Sequence, residues 1–91
     1  MAKNPVGLPG TKRSFWFDTG LTDGNGNVSF TTPANQKDPA IVYLQAHHAT
    51  LALFGVVQSV AGNTITAIVY DHSGVIAPVG TRLDVFTITI E

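Results

Sequence analysis

Two runs of apolar and β-branched residues flank Gly62-Asn63 in "GVVQSVAGNTITAIVYD" (Gly55–Asp71), and no other feature restricts the fold of this chain as much. A Gly-Asn dipeptide between alternating runs fits a two-residue type II′ hairpin, because glycine takes the positive φ of the first turn position at no steric cost. An unbroken hairpin about that turn sets Ala61 against Thr64, Val60 against Ile65, Val57 against Ile68 and Gly55 against Tyr70. One face then carries Phe54, Val56, Val60, Ile65, Ala67 and Val69. The other carries Gly55, Val57, Ser59, Thr66, Ile68 and Tyr70, with the Tyr70 ring covering the gap that a strand glycine leaves. Neither face is wholly polar.

The same period of two recurs along the chain. "SFWFDTG" (Ser14–Gly20) reads as a short aromatic strand, and "VSFTT" places Val28 and Phe30 on one face with Ser29 and Thr31 on the other. "AIVYLQAHH" resumes β-branched and aromatic character after the proline-bounded loop "PANQKDP". "RLDVFTITI" puts Phe86, Ile88 and Ile90 on one side and Leu83, Val85, Thr87 and Thr89 on the other. A helix over Leu44 to Ala61 is the rival reading, favoured by its Leu, Gln and Ala. Gly55, the Val56-Val57 pair and apolar side chains on every side, with no stripe, argue against it. The expected fold is all-β: a small antiparallel β-sandwich of six or seven strands over residues 14–91. Residues 1–13, "MAKNPVGLPGTKR", with two prolines and two glycines, read as an extended N-terminal arm.

Charged residues make up 12% of the chain, about half the share of roughly 25% usual in soluble domains. Either Thr, Ser, Asn and Gly cover a monomer's surface, or much of that surface lies against copies of the chain or a partner, where charge is depleted. The second reading is preferred, since several strands have two partly apolar faces. A formal net charge of -1 offers no basic field for nucleic acid. The apolar stretch Ala49–Val57 is far short of the roughly 20 residues of a membrane span. With no cysteine, disulfides and thiolate metal sites are excluded.

The adjacent His47 and His48 invite a metal reading. On a strand, neighbours point to opposite faces, so the two rings do not grip one ion. His72, the only other histidine, falls roughly 16 Å along from His48 in the expected register. One histidine from each of three copies around an axis is the ligand geometry left open. In "DGNGN", Asp23, Asn25 and Asn27 match the opening of a calcium loop, but Val28 and Ala34 stand where glycine and glutamate belong, so a turn is expected. Ser14, Ser29, Ser59 and Ser73 lie outside any nucleophile-elbow pattern, and no glycine-rich phosphate loop precedes a helix. No catalytic residue, cofactor or metal is expected. Trp16, Phe17, Tyr70 and Phe86 are the candidate anchors of a core or an interface, while Trp16, Tyr43 and Tyr70 offer flat rings to sugars.

The stretch "DGNGNVSFTTPANQKDPAIVYLQ" resembles a phrase common in bacteriophage tail-fibre and other virion proteins, where a Gly/Asn turn leads into an alternating strand, a proline break and the next strand. The following "VVQSVAGNTITAIVYDHSG" resembles their next hairpin, so the likeness spans residues 23–74. The pattern is also similar to the H-type lectin fold, a small antiparallel sandwich that assembles as a trimer. Where those lectins carry a late tryptophan strand, this chain has "VFTITI" (Val85–Ile90), and their sugar-facing polar residues have no counterpart, so no site residue is carried over. The resemblance implies a structural protein of a phage particle: a trimeric β-sandwich module on the virion surface, as capsid decoration, head fibre or tail fibre. Its arm is expected to meet other virion structural proteins. A lectin-like module binding a host surface glycan is the alternative. Neither nucleic acid nor membrane insertion is expected.

Overall fold

A computed structural model describes residues 13–90. The chain runs through β1 (Arg13–Leu21), β2 (Asn27–Thr31), β3 (Ile41–His47), β4 (Leu53–Ala61), β5 (Thr64–Asp71) and β6 (Arg82–Ile90), with no helix among the described residues. Two antiparallel three-stranded sheets result, ordered β1-β6-β3 and β2-β5-β4. The arm expected over residues 1–13 lies outside the described residues, except that Arg13 already opens β1.

The sheets face each other across one core, the arrangement of a small β-sandwich. Val28 and Phe30 of β2, Ile65, Ala67 and Val69 of β5, and Leu83 and Val85 of β6 are buried there with Ala77. Trp16, Val42, Leu44, Ala46, Leu53 and Val57 pack around them. The alternation expected in β2 and β6 is present, and in β6 it is Leu83, Val85, Thr87 and Thr89 that turn inward. Two glycines let the layers approach. A Cβ on Gly55 would stand 2.6 Å from Leu83 Cδ1 and 3.2 Å from Leu44 Cβ, and one on Gly20 would stand 2.6 Å from Val28 Cγ1.

The hairpin forms about Gly62-Asn63 as a two-residue turn. Gly62 has φ +59°, and among the described residues none other than glycine has positive φ, which is the type II′ pattern. The expected register holds for Ala61–Thr64, Val60–Ile65 and Ser59–Thr66, then slips. A bulge at Gln58 pairs Val57 with Ala67, Gly55 with Val69 and Phe54 with Tyr70, not Val57 with Ile68 and Gly55 with Tyr70. One extra residue exchanges the faces of everything before it. Val57 therefore joins the core, Phe54 and Val56 are exposed, and Gly55 accommodates Leu83 instead of a tyrosine ring.

Two turns are close relatives. In "DGNGN" the Asp23 carboxylate accepts the backbone N–H of Asn25 and Asn27, and in "DHSGV" the Asp71 carboxylate accepts those of Ser73 and Val75. In each the fourth residue, Gly26 or Gly74, has positive φ and donates its N–H to the aspartate carbonyl. The expected turn at Asp23 is therefore present, and the same spacing builds a second at Asp71. Asn63 works beyond its hairpin, donating through Nδ2 to Thr32 Oγ1 at 2.6 Å and so pinning the loop after β2.

Filling the inter-sheet contact tests this packing. Gly55→Val is expected to lower unfolding free energy by about 1–3 kcal/mol through overpacking. Gly24→Ala, with nothing within 4 Å of the added Cβ, should leave the urea midpoint near the parent value.

Candidate functional site

Because opposed residues of an antiparallel sheet share a face, the register of β1-β6-β3 lays its outer surface out in rungs. Arg13 pairs with Ile90 at one end. Next come Phe15–Ile88–Ile41, then Phe17–Phe86–Tyr43, then Thr19–Asp84–Gln45, and finally Leu21–Arg82–His47. The first rungs are apolar and aromatic, the later ones mainly polar. Phe15 and Phe17 are each 59% exposed and Tyr43 57%, with Ile41, Phe86 and Ile90 exposed beside them. The Phe86 ring lies between two others, its centroid 6.0 Å from that of Phe15 and 6.3 Å from that of Tyr43, both near parallel.

The polar rungs are organised by one carboxylate. Asp84 Oδ1 accepts from Thr19 Oγ1 at 2.8 Å and Arg82 Nε at 2.9 Å, while Oδ2 accepts from Arg82 Nη2 at 3.0 Å. His47 Nε2 lies 2.8 Å from Oδ2 and so carries the proton of that contact. The hydrogen-bonded Arg82 guanidinium, helped by Thr19 and His47 and opposed by partial burial, pulls the Asp84 carboxyl down from its ordinary 3.8 to about 2. A carboxylate titrating there, with both oxygens doubly engaged, is a weak base at neutral pH. Its role is to tie β1, β3 and β6 together at one end of the face. Arg82 and Asp84 cancel each other's charge.

A shallow depression of about 250 Å³ lies where the two halves of the face meet, bordered by Phe17, Tyr43, Phe86, Gln45 and Asp84. A wider hollow of about 530 Å³ runs beside His47, His48 and the β3–β4 connection, floored by Ala46, Ala49 and Ala52. The adjacent histidines take different tasks. His47 joins the Asp84 cluster, whereas His48 Nδ1 accepts the backbone N–H of Thr50 at 3.2 Å and Leu51 at 3.1 Å, closing the turn after β3. His72 follows β5 and is exposed; Asp71, not His72, is the partner of Leu53. Among the described residues no three His, Cys, Asp or Glu side chains gather as a metal centre.

Of the four candidate anchors, Phe17 and Phe86 are direct cross-strand partners on this face. Trp16 lies against the core on the opposite side of the same sheet, and Tyr70 is half-buried on the other sheet, paired with Phe54. The structure adds Phe15, Tyr43, Ile41 and Ile90 to the face, and the Asp84 cluster at its end. Phe15 was within reach of the sequence, since it stands two residues from Phe17. The His47–Asp84 contact spans 37 positions and depends on β3 lying beside β6, which no local signal announces.

Set against protein-family models, curated proteins and solved structures, the chain matches none.

The depressed Asp84 carboxyl carries a sign. A group that titrates lower folded than unfolded contributes stability fully above its ordinary value and loses it as pH falls. The thermal midpoint is therefore expected to drop as pH goes from about 4 to about 2. Asp84→Asn should melt lower at neutral pH and lose less across that window; circular dichroism melts read both.

Proposed function

We propose that this chain is a structural module of a bacteriophage particle that works by assembly, not catalysis: a β-sandwich carrying an extended N-terminal arm, displayed on the virion surface as a trimer. The observation that carries the assembly reading is the outer face of β1-β6-β3, where Phe15, Phe17 and Tyr43 are each more than half exposed. Monomeric proteins seldom leave such contiguous apolar surface in water unless something covers it. The virion setting rests on the resemblance of residues 23–74 to tail-fibre and other virion proteins.

Within that reading the sandwich is a rigid block and the arm a tether. Residues 1–12 hold Lys3 and Lys12 among prolines and glycines, a composition that favours an extended segment lying along a neighbouring virion protein. Capsid decoration, a head fibre and a tail fibre are the three locations in view.

A lectin-like module for host attachment is the second reading, favoured by the depression where the Phe17, Tyr43 and Phe86 rings meet the Gln45 amide. Flat rings beside hydrogen-bonding side chains suit the apolar face of a sugar and its hydroxyls.

Immunogold microscopy on purified particles of the encoding phage should place the protein on the outer capsid or a fibre; particles devoid of label would overturn the virion proposal. Deleting residues 1–12 should abolish docking onto particles that lack the protein, and unchanged occupancy would remove the arm's role. A glycan array is expected to return no ligand, and reproducible binding lost in Tyr43→Ala would favour the lectin reading instead.

A further inference from the structure

We infer that the aromatic half of the outer β1-β6-β3 face is a homotypic interface, the surface that each copy in the proposed trimer turns toward a common axis. The step rests on the assembly reading and names its contact. Taking about 200 Å² for a fully exposed aromatic side chain and slightly less for isoleucine, the exposed parts of Phe15, Phe17, Tyr43, Phe86, Ile41 and Ile90 amount to on the order of 600 Å². A standard stable interface hides about 800 Å² per partner, roughly two-thirds apolar at its centre. The patch fills that centre, and the adjoining polar rungs supply a rim.

Charge selects the occupant. The rungs Phe15–Ile88–Ile41 and Phe17–Phe86–Tyr43 carry no ionisable acid or base that is charged at neutral pH. At one rim the acid Asp84 is engaged by Arg82 of its own strand, and at the other Arg13 stands opposite Ile90, outside the two aromatic rungs. A nucleic acid or a strongly charged protein finds no uncompensated field here to complement. Across those two rungs a copy of the same face meets no charge to repel or to desolvate, as copies converging on one axis require. The rings are also pre-arranged: Phe86 is already stacked with Phe15 and Tyr43, so little side-chain freedom remains to be lost on association. The other sheet does not compete. Its outer side has a smaller apolar corner, Phe54 opposite Tyr70 and Val56 opposite Ile68 with Tyr70 and Ile68 half-buried, and the rungs beyond it are Ser29–Thr66–Ser59 and Thr31–Thr64.

The Asp84 cluster then acts as an end stop. With both oxygens engaged on its own three strands, the largely buried Asp84 has no free acceptor to offer another copy, so the apolar contact ends there.

Light scattering on the full chain over a wide concentration range should return about three times 9.6 kDa. The double variant Phe17→Ser/Tyr43→Ser should raise the apparent dissociation constant by about a hundredfold or more, as loss of two central aromatic anchors does. Phe54→Ser, on the opposite sheet, should associate like the parent. Far-UV circular dichroism checks that each variant is folded. Since the chain has no cysteine, a second arm avoids large changes: Tyr43→Cys with a short thiol cross-linker should give covalent multimers, and Phe54→Cys none. A parent mass of 9.6 kDa at every concentration, or cross-linking through position 54 but not 43, overturns the inference. A monomer that nonetheless labels particles would sink this interface and the trimer but spare the virion location; a trimer absent from particles would do the reverse.

Discussion

The organisation of this protein depends on β6. It is the middle strand of its sheet, hydrogen-bonded to β1 on one side and β3 on the other, and strand geometry sends its side chains alternately inward and outward. Leu83 and Val85 therefore meet the opposite sheet, and Asp84, Phe86, Ile88 and Ile90 have no choice but to face away from it. Shifting the register by one residue would bring Phe86 and Ile88 into the core and expel Leu83 and Val85. Three separate contacts oppose that shift. Leu83 occupies the space left by Gly55, Asp84 holds Thr19 and His47 across both neighbouring strands, and Phe86 stacks between Phe15 and Tyr43.

The face that β6 turns inward is not its greasier one. Thr87 and Thr89 are fully buried and their hydroxyls have no hydrogen-bond partner among the described residues, while Phe86 and Ile90 are exposed. For an isolated sandwich that orientation is costly twice over, since a buried hydroxyl without a partner loses about 1–3 kcal/mol and exposed rings forgo burial. Covering the outer face recovers the second loss. The scarcity of charge has the same root: β2, β3 and β4 contain no Asp, Glu, Lys or Arg, and the charged residues of β1 and β6 stand apart from the two aromatic rungs.

Local patterns carried most of the strand assignments, because alternation and turn chemistry are short-range properties. "VSFTT" and "RLDVFTITI" sort their side chains onto two faces by spacing alone, and Gly62-Asn63 marks its turn by the one residue that tolerates positive φ there. The slip at Gln58 was not visible, since "VVQSV" reads equally well as an uninterrupted strand and the bulge is decided by the sheet opposite. With Leu83 and Leu44 crowding position 55, only the residue without a side chain fits, and one extra residue at 58 is what brings Gly55 there. Likewise, alternation alone says which residues of β6 share a side but not which side is the core.

The same distinction governs the candidate site. Phe17 and Phe86 stand out as aromatic residues in strands, but so do Trp16 and Tyr70, and only the pairing of β1 with β6 separates the first two from the others. Asp84 gives no sign in its own neighbourhood beyond Arg82 two positions earlier; Thr19 and His47 arrive from strands 65 and 37 residues away. What the sequence does carry is the imbalance that makes such a surface necessary: too many apolar side chains for one small core, with strands that are apolar on both sides. A chain of this length encloses a single modest core. Once Leu83, Val85, Val69, Ile65 and Phe30 fill it, the exposed aromatics of β1, β3 and β6 are surplus to the core, and the proposed interface draws on that surplus.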